Sequence, residues 1–343
     1  MTMETQFLIW DEDTIDQAAK YIRAGELVAF PTETVYGLGA DATNSEAVAK
    51  IFEAKGRPAD NPLIVHVADV EQIEEYVAHV SADARRLIQA FMPGPLTIVL
   101  PSDQKIADNV TAGLETVAIR IPNHEAAQEL IQKANRPIAA PSANISGKPS
   151  PTSALHVFQD LNGKIPAILD GGTTGVGLES TVVDCTGEKV TVIRPGFITQ
   201  SDLESVLGYS IESTETDSDA SQPKSPGVKY THYQPEVPLT LIDGDIEFFQ
   251  ETIDRYQASG KRVGVLVSEE LATQLSADEF QICGTQDNLE TIAGELYQSL
   301  RGFKQSEVDL ILAETYPEEG VGQAIMNRLT KAASQIETQE NDR

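Results

Sequence analysis

Short apolar runs alternate along most of this chain with segments whose apolar positions repeat at helical spacing. Apolar runs of three to five residues, separated by Gly, Pro and polar residues, are typical of buried strands. In the first two thirds of the chain they predict strands at 27–30, 63–67, 96–100, 117–121, 138–140, 167–170, 181–185 and 190–194. The pattern therefore predicts a mixed α/β domain that ends near residue 208.

One predicted helix has a clear beginning. Thr43-Asn44-Ser45-Glu46 fits the capping-box pattern, in which a hydroxyl and a carboxylate three residues apart satisfy free backbone N–H groups. Val48, Ile51 and Phe52 then fall on one face. We expect an amphipathic helix that starts here and packs against the sheet.

The pattern changes after residue 208. Residues 210–222 are mostly Ser, Thr, Asp and Glu, too polar to fix themselves by burial, and indicate a linker. Residues 225–235 differ again, because Lys229, His232 and Tyr233 among turn-forming residues have no use in a plain spacer. We interpret this segment as a lid that folds over a nucleotide site.

Beyond the linker, apolar runs at 262–267 and 308–313 predict buried strands, and apolar residues between 289 and 300 repeat at helical spacing. This pattern predicts a second, smaller α/β domain of Rossmann-like character. The predicted organisation is a first domain over 1–208, a linker and lid over 209–238, and a C-terminal domain over 239–337.

Charge and composition limit the partners. The 343 residues include 53 acidic and 25 basic ones, a net charge of −28, so we expect no tight binding of nucleic acid. Cys185 and Cys283 lie far apart, as expected of buried thiols rather than a disulfide framework or zinc site. No membrane span or signal peptide is evident, and the expected location is the cytoplasm.

Against that acidic background, three stiff segments carry cations and short polar groups: Pro31 to Gly39, Lys55 to Pro62, and Pro141 to Asn144. Lys and Arg supply charge for phosphate or carboxylate, while Ser and Asn supply directional hydrogen bonds. Gly37 to Ala42 fits GxGxxA, but neither the preceding strand nor a later acid completes a dinucleotide motif. Gly172 to Gly177 lacks the lysine of a P-loop. A phosphate-bearing ligand is therefore predicted, held by a different kind of site.

Several motifs occur along the chain in an order that resembles a known family. They are PTETVYGLG at 31–39, Lys55-x-Arg57-Pro58 with Asn61-Pro62, Ser142-x-Asn144, Glu179-Ser180-Thr181, Arg194-Pro195-Gly196, and the SPGxKYxHYxP segment at 225–235. Together they resemble the two-domain form of the threonylcarbamoyl-AMP synthases, a branch of the YrdC-like family. Val228, Thr231 and Gln234 depart from the commoner residues of the last motif.

The resemblance implies a twisted open α/β domain and a nucleotidyltransferase that joins L-threonine, bicarbonate or CO2 and ATP and releases pyrophosphate. It implies that the product threonylcarbamoyl-AMP passes to a complex that modifies the tRNA adenosine beside the anticodon. Mg²⁺ is expected with ATP, bound through phosphate oxygens, and no protein ligand for it is predicted.

The resemblance also places residues. ATP is expected on Arg57, Asn61, Thr116, Ser142, Asn144, Ser150, Arg194 and Tyr233, and threonine on Thr34, His66, Arg120, Ala140 and Ser180. Lys55 and Arg57 are the candidates for stabilising charge in the reaction, because the carbamate and the phosphates repel each other. Arg120 ends an apolar strand, where its planar fork could receive a carboxylate. His66 is the candidate general base.

Structural roles compete with each of these assignments. Lys55 and Arg57 could only stabilise a helix end, His66 could be a core histidine, Thr34 a helix cap and Ser180 a turn residue. Two other functions stay open: a non-catalytic RNA-binding or translation-associated YrdC-like module, and a carbamoyl-transfer maturation enzyme. The second would be expected to carry cysteine-rich metal fingers and an acylphosphatase-like segment, and neither is visible here.

Overall fold

The computed structural model describes residues 3–214 and 232–339. Contacts divide these residues into two compact units, one of 3–146, 150–175 and 179–214 and the other of 147–149, 176–178 and 232–339. The short segments 147–149 and 176–178, which join the second unit, were not predicted. Most of the predicted linker and the first part of the predicted lid, including Lys229, lie outside the described residues, so the lid and the domain boundaries stay predictions.

The first unit contains an eleven-stranded mixed sheet with helices between its strands. Its elements in chain order are β1 (Gln6–Ile9), α1 (Glu12–Arg23), β2 (Val28–Phe30), β3 (Gly37–Asp41), α2 (Ser45–Lys55), β4 (Ile64–His66), α3 (Val70–Tyr76), α4 (Ala82–Phe91), β5 (Leu96–Pro101), α5 (Asp108–Thr111), β6 (Thr116–Arg120), α6 (Glu125–Ala134), β7 (Ile138–Ala139), α7 (Ala154–Leu161), β8 (Ala167–Asp170), β9 (Thr181–Asp184), β10 (Thr191–Arg194), α8 (Gln200–Leu207) and β11 (Glu212–Ser213). The strand order is β1-β8-β2-β3-β7-β4-β6-β5-β9-β10-β11.

The second unit contains a five-stranded parallel sheet in the order β14-β13-β15-β12-β16. Its elements are β12 (Leu239–Asp243), α9 (Ile246–Ala258), β13 (Val263–Val267), α10 (Glu269–Ala272), β14 (Glu279–Ile282), α11 (Leu289–Gly302), a 3-10 turn (Phe303–Gln305), β15 (Leu310–Glu314), α12 (Val321–Ala332) and β16 (Gln335–Thr338). Both units mix helices with a sheet, so the predicted α/β fold class is confirmed.

The apolar runs that predicted strands are the buried centres of the sheets. β2, β4 and β13 are buried at every position, and β5 is buried along its first five residues. Such strands read as continuous apolar runs because both of their faces are covered. Cys185 and Cys283 are free and buried as predicted, and burial raises the pKa of each thiol to about 12.

The capping box predicted at Thr43 is wrong. The N-cap of α2 is Asn44, whose side-chain oxygen accepts hydrogen bonds from the backbone of Glu46 and Ala47. The Thr43 hydroxyl instead donates to Asp41 at 2.7 Å. Asn is as good an N-cap as Thr, and an alternative partner at Asp41 decides between them.

No helix in the described parts of the chain combines the length and apolarity that crossing a membrane requires.

Candidate active site

A buried arginine organises the first group of candidate residues. Arg120 is the last residue of β6 and is 3 % exposed. Its Nε donates to the carbonyl of Gly94 at 3.1 Å, and its Nη1 donates to the Thr34 hydroxyl at 3.0 Å. The guanidinium plane is therefore fixed from two sides, and the structure brings Thr34 and Arg120 together, two of the residues predicted to bind threonine.

His66 belongs to the same group. It ends β4, which pairs with β6 so that His66 lies opposite Arg120, and its ring meets Phe30 edge to face. Burial, with the positive charge of Arg120, lowers the pKa of His66 to about 3. The imidazole is therefore neutral at physiological pH and too weakly basic to deprotonate an ammonium group, which weighs against the predicted general base.

A second group surrounds Ser180, the residue that precedes β9. The hydroxyls of Ser180 and Thr97 lie 2.7 Å apart, and both residues are buried. Arg194, at the end of β10, donates to the Ser180 carbonyl from Nε at 3.1 Å and from Nη2 at 2.9 Å. Arg194 thus fixes the backbone of a predicted threonine-binding residue, a contact that its predicted nucleotide role did not suggest.

Glycine permits the chain to close around Ser180. Gly196 follows Arg194-Pro195, and a side chain there would place its Cβ 2.4 Å from the Thr181 nitrogen and 2.8 Å from the Ser180 carbonyl carbon. Real Cβ atoms do not approach backbone so closely. The glycine of the Arg-Pro-Gly motif is therefore required by packing.

Lys55 is held by the loop that contains Ser142 and Asn144. It is the last residue of α2, is 2 % exposed, and donates from Nζ to the carbonyls of Ser142 and Asn144, each at 2.5 Å. The Ser146 N–H in turn donates to the Lys55 carbonyl at 3.1 Å. Lys55 thus positions this loop, so its structural role goes beyond the helix-end charge considered from the sequence.

Lys55→Met is expected to lower the free energy of unfolding by about 1 to 2 kcal/mol, because two carbonyls lose a charged donor. Denaturant unfolding measures this change. Lys189→Met, which alters an exposed lysine, is the control and should leave stability unchanged. Equal stability of the two variants would show that the loop does not depend on Lys55.

The remaining nucleotide candidates are spread over the first unit. Ser150 donates to the Glu179 carboxylate at 2.5 Å, and the Nδ2 of Asn144 donates to the Ile145 carbonyl at 2.8 Å. Asn61 is fully buried, whereas Arg57 is half-buried directly after the left-handed Gly56 that ends α2.

Three further candidates lie in or beside strands. Ser142 is half-buried and forms a bridge with Gly37, and the N–H of Ala140, which follows β7, donates to the Ile64 carbonyl at 2.9 Å. Thr116 begins the strand that Arg120 ends, which separates their Cα atoms by about 13 Å. Strand β6 therefore does not bring Thr116 to Arg120.

Tyr233 lies in the second unit. Its ring stacks on Tyr297 with centroids 5.4 Å apart, and the Arg328 guanidinium lies 6.0 Å from its centroid. The residue is buried and has a backbone φ of 65°, which is unusual for a residue other than glycine. A nucleotide contact from Tyr233 stays a prediction.

Two residues of these groups were not predicted. Glu33 forms an ion pair with Arg120 at 2.6 Å, and Thr97 reaches Ser180 from β5. Thr97 interrupts an otherwise apolar run at 96–100, and a polar residue in a buried strand is the signal that could have identified it. Glu33 stands between two threonines of the PTETVYGLG motif and gave no separate signal.

The candidate residues do not form a metal cage. No group of three or more His, Cys, Asp or Glu side chains within 3–214 and 232–339 is placed to hold a metal ion. The charged candidates, Lys55, Arg57, Arg120 and Arg194, are cations and therefore not metal ligands. The binding of Mg²⁺ together with ATP, through its phosphate oxygens, stays a prediction.

Comparison with protein families gives two matches that together cover most of the chain. Residues 20–196 match the Sua5–YciO–YrdC model, described as "Telomere recombination". Residues 198–334 match the model described as "Threonylcarbamoyl-AMP synthase, C-terminal domain".

Individual relatives match over nearly their whole length. A threonylcarbamoyl-AMP synthase of Bacillus subtilis is 52 % identical over 330 residues, which cover 96 % of this chain and 95 % of the relative. A threonylcarbamoyl-AMP synthase of Pyrococcus abyssi is 47 % identical over 328 residues, which cover 94 % of this chain and 95 % of the relative. The crystal structure of P. abyssi Sua5 complexed with L-threonine superposes with a TM-score of 0.92 and 45 % identity, covering 98 % of this chain and 100 % of that one.

Proposed function

Because this chain belongs to the family of threonylcarbamoyl-AMP synthases, we propose that it is an enzyme that joins L-threonine, bicarbonate and ATP into threonylcarbamoyl-AMP and releases pyrophosphate. The observation that carries this proposal is the buried Arg120 fork beside the Thr34 hydroxyl, in a fold shared with a relative that binds L-threonine. A fork fixed in this way can receive the α-carboxylate of an amino acid.

The reaction begins with the threonine amine. Threonine, as the ammonium form, and bicarbonate give an N-carboxylate, one water and one proton. A carbamate oxygen then forms a bond to the α-phosphorus of ATP, and the bond from that phosphorus to pyrophosphate breaks. Both partners of the second step are anions, so the protein must offset their repulsion.

Threonine recognition is proposed for Thr34, His66, Arg120, Ala140 and Ser180. The neutral imidazole of His66 can exchange a hydrogen bond with a hydroxyl without adding charge. The paired hydroxyls of Ser180 and Thr97 are buried, and a site of this kind discriminates against ligands that cannot complete its hydrogen bonds. The proposed role of these hydroxyls is to distinguish threonine from apolar amino acids.

Nucleotide binding is proposed for Arg57, Asn61, Thr116, Ser142, Asn144, Ser150, Arg194 and Tyr233. Arg57, which is half-buried, can bring its charge to a phosphate. Lys55 and Arg194 are fixed by carbonyl groups and contribute positive charge from set positions. Such preorganised cations stabilise developing charge without a cost of reorganisation at the moment of reaction.

The wider setting follows from the product. We infer that Mg²⁺ accompanies ATP, and that threonylcarbamoyl-AMP passes to a tRNA threonylcarbamoyl-transfer complex. The proposed role in tRNA modification supports a location in the cytoplasm. The alternative of a non-catalytic RNA-binding module is not favoured, because the relatives are named as synthases and the net charge of −28 opposes tight RNA binding.

The test is pyrophosphate release from ATP by the full chain. We expect release to require threonine and bicarbonate together, because formation of the carbamate must precede attack on ATP. Serine should be a poorer substrate than threonine. Mass spectrometry of the products should show threonylcarbamoyl-AMP in equal amount to pyrophosphate. Release that is independent of threonine would contradict the proposal.

A further inference from the structure

The charge of the Arg120 group depends on Glu33, a residue without a role so far. Glu33 lies in the loop between β2 and β3, and its Oε1 is 2.6 Å from Arg120 Nη2. Its side chain is 13 % exposed and that of Arg120 is 4 % exposed. The pair is thus largely removed from water. In such a buried environment a charge has strong effects on its neighbours.

The pair keeps unused hydrogen-bonding capacity. Although the two atoms are close, they are not aligned as a hydrogen bond, and both Glu33 oxygens and Arg120 Nη2 lack a hydrogen-bond partner among the described residues. Arg120 Nε and Nη1 are already directed to Gly94 and Thr34. The group therefore offers one unpartnered nitrogen, which carries two N–H donors, and two unsatisfied acceptor oxygens side by side.

The charges around this group add to zero. Arg120 contributes one positive charge and Glu33 one negative charge, and burial keeps His66 neutral. An arginine alone would attract any small anion, including bicarbonate and the phosphates of ATP. A balanced pair instead complements a ligand that carries a carboxylate and an ammonium group together.

We propose that Glu33 determines the specificity of this pocket for a zwitterionic α-amino acid over monoanionic carboxylates of the same shape. Arg120 receives the carboxylate, and the Glu33 carboxylate provides the negative charge that favours the ammonium group. The inference rests on the proposed function, since it refines how that site recognises threonine.

The test compares two ligands that differ at one group. L-Threonine and 2,3-dihydroxybutyrate of matching stereochemistry share the carboxylate and the β-hydroxyl, but the second carries a hydroxyl in place of the ammonium. Calorimetric titration of the full chain gives a dissociation constant for each. We expect Glu33→Gln to reduce the preference for threonine about 10- to 100-fold, the range of one lost charged contact.

A matched control is available on the surface. Glu26 forms an ion pair with Lys50 at 2.8 Å, with both side chains more than a third exposed. Glu26→Gln should leave both dissociation constants unchanged. If Glu33→Gln does not fold, Glu33→Asp gives the same comparison, because it withdraws the charge by one methylene, and it should weaken threonine more than dihydroxybutyrate.

The possible results distinguish a failure of this inference from a failure of the proposed function. An equal loss of affinity for both ligands would show that Glu33 only orients Arg120, and would overturn the inference. Tighter threonine binding by Glu33→Gln would also overturn it, since Glu33 would then compete with the substrate for Arg120. A parent protein that binds no threonine would overturn the proposed function, and this inference with it.

Discussion

Arg120→Lys is expected to lower kcat/KM for threonine about 10- to 100-fold, although it keeps the positive charge. The guanidinium donates hydrogen bonds to Gly94 from Nε and to Thr34 from Nη1, and its Nη2 forms the ion pair with Glu33. A lysine ammonium is a single point with a different reach and cannot meet these partners and a substrate carboxylate in one plane. The KM for ATP should not change.

Initial rates at varied threonine and saturating ATP measure the effect. The control is Arg85→Lys, which changes an arginine paired with Glu74 where both side chains are about half exposed. Such surface pairs contribute little, so its kinetics should match those of the parent. A threonine dependence of Arg120→Lys that equals that of the control would show that Arg120 is structural.

Gly196→Ala should destabilise the first unit by about 3 kcal/mol and abolish most activity, a larger effect than one methyl group usually has. The added carbon would lie 2.4 Å from the Thr181 nitrogen and 2.7 Å from its hydroxyl oxygen. Neither backbone segment can yield alone, because Thr181 donates to the carbonyls of Pro95 and Ile198. The strain must therefore shift Ser180.

Thermal unfolding and pyrophosphate release measure the two parts of this prediction. Gly187→Ala is the control, because its Cβ would meet its nearest neighbour at 3.6 Å, an ordinary contact. Its stability should stay within the error of the parent. A stable Gly196→Ala protein with full activity would mean that the Arg-Pro-Gly turn adapts, and that glycine is not required there.

The sequence predicted most of the buried strands, because an apolar run of three to five residues has few other uses. It did not predict β12, which is buried at its first four positions, or β3, which is buried and rich in glycine. A side chain at Gly39 would lie 2.7 Å from Ile138 and 2.8 Å from Phe30, so the strand is glycine-rich because its neighbours occupy that space. Propensity is local, whereas this requirement comes from Phe30 on the neighbouring strand β2 and from Ile138, about 100 positions away in the chain.

The candidate site was also predictable only in part. Arg120, Thr34, His66 and Ser180 follow from the family resemblance, and the structure gives each a defined partner. The contacts that fix them could not be predicted, because Glu33 and Arg120, Thr97 and Ser180, or Lys55 and Ser142 are separated by more than 80 residues in the chain. Sequence spacing identifies the chemical groups, whereas only the fold shows which group neutralises or orients another.

The burial of Lys55 has a chemical consequence for an enzyme of this family. A mixed carbamic-phosphoric anhydride is an acylating agent, and a free amine beside it would be carbamoylated. The Lys55 nitrogen donates to two carbonyls at 2.5 Å and is shielded from solvent, so it lacks the accessible lone pair that a nucleophile needs. The lysine that positions the Ser142 loop is thereby a poor target for acylation, so the catalytic role proposed for its positive charge does not require a reactive amine.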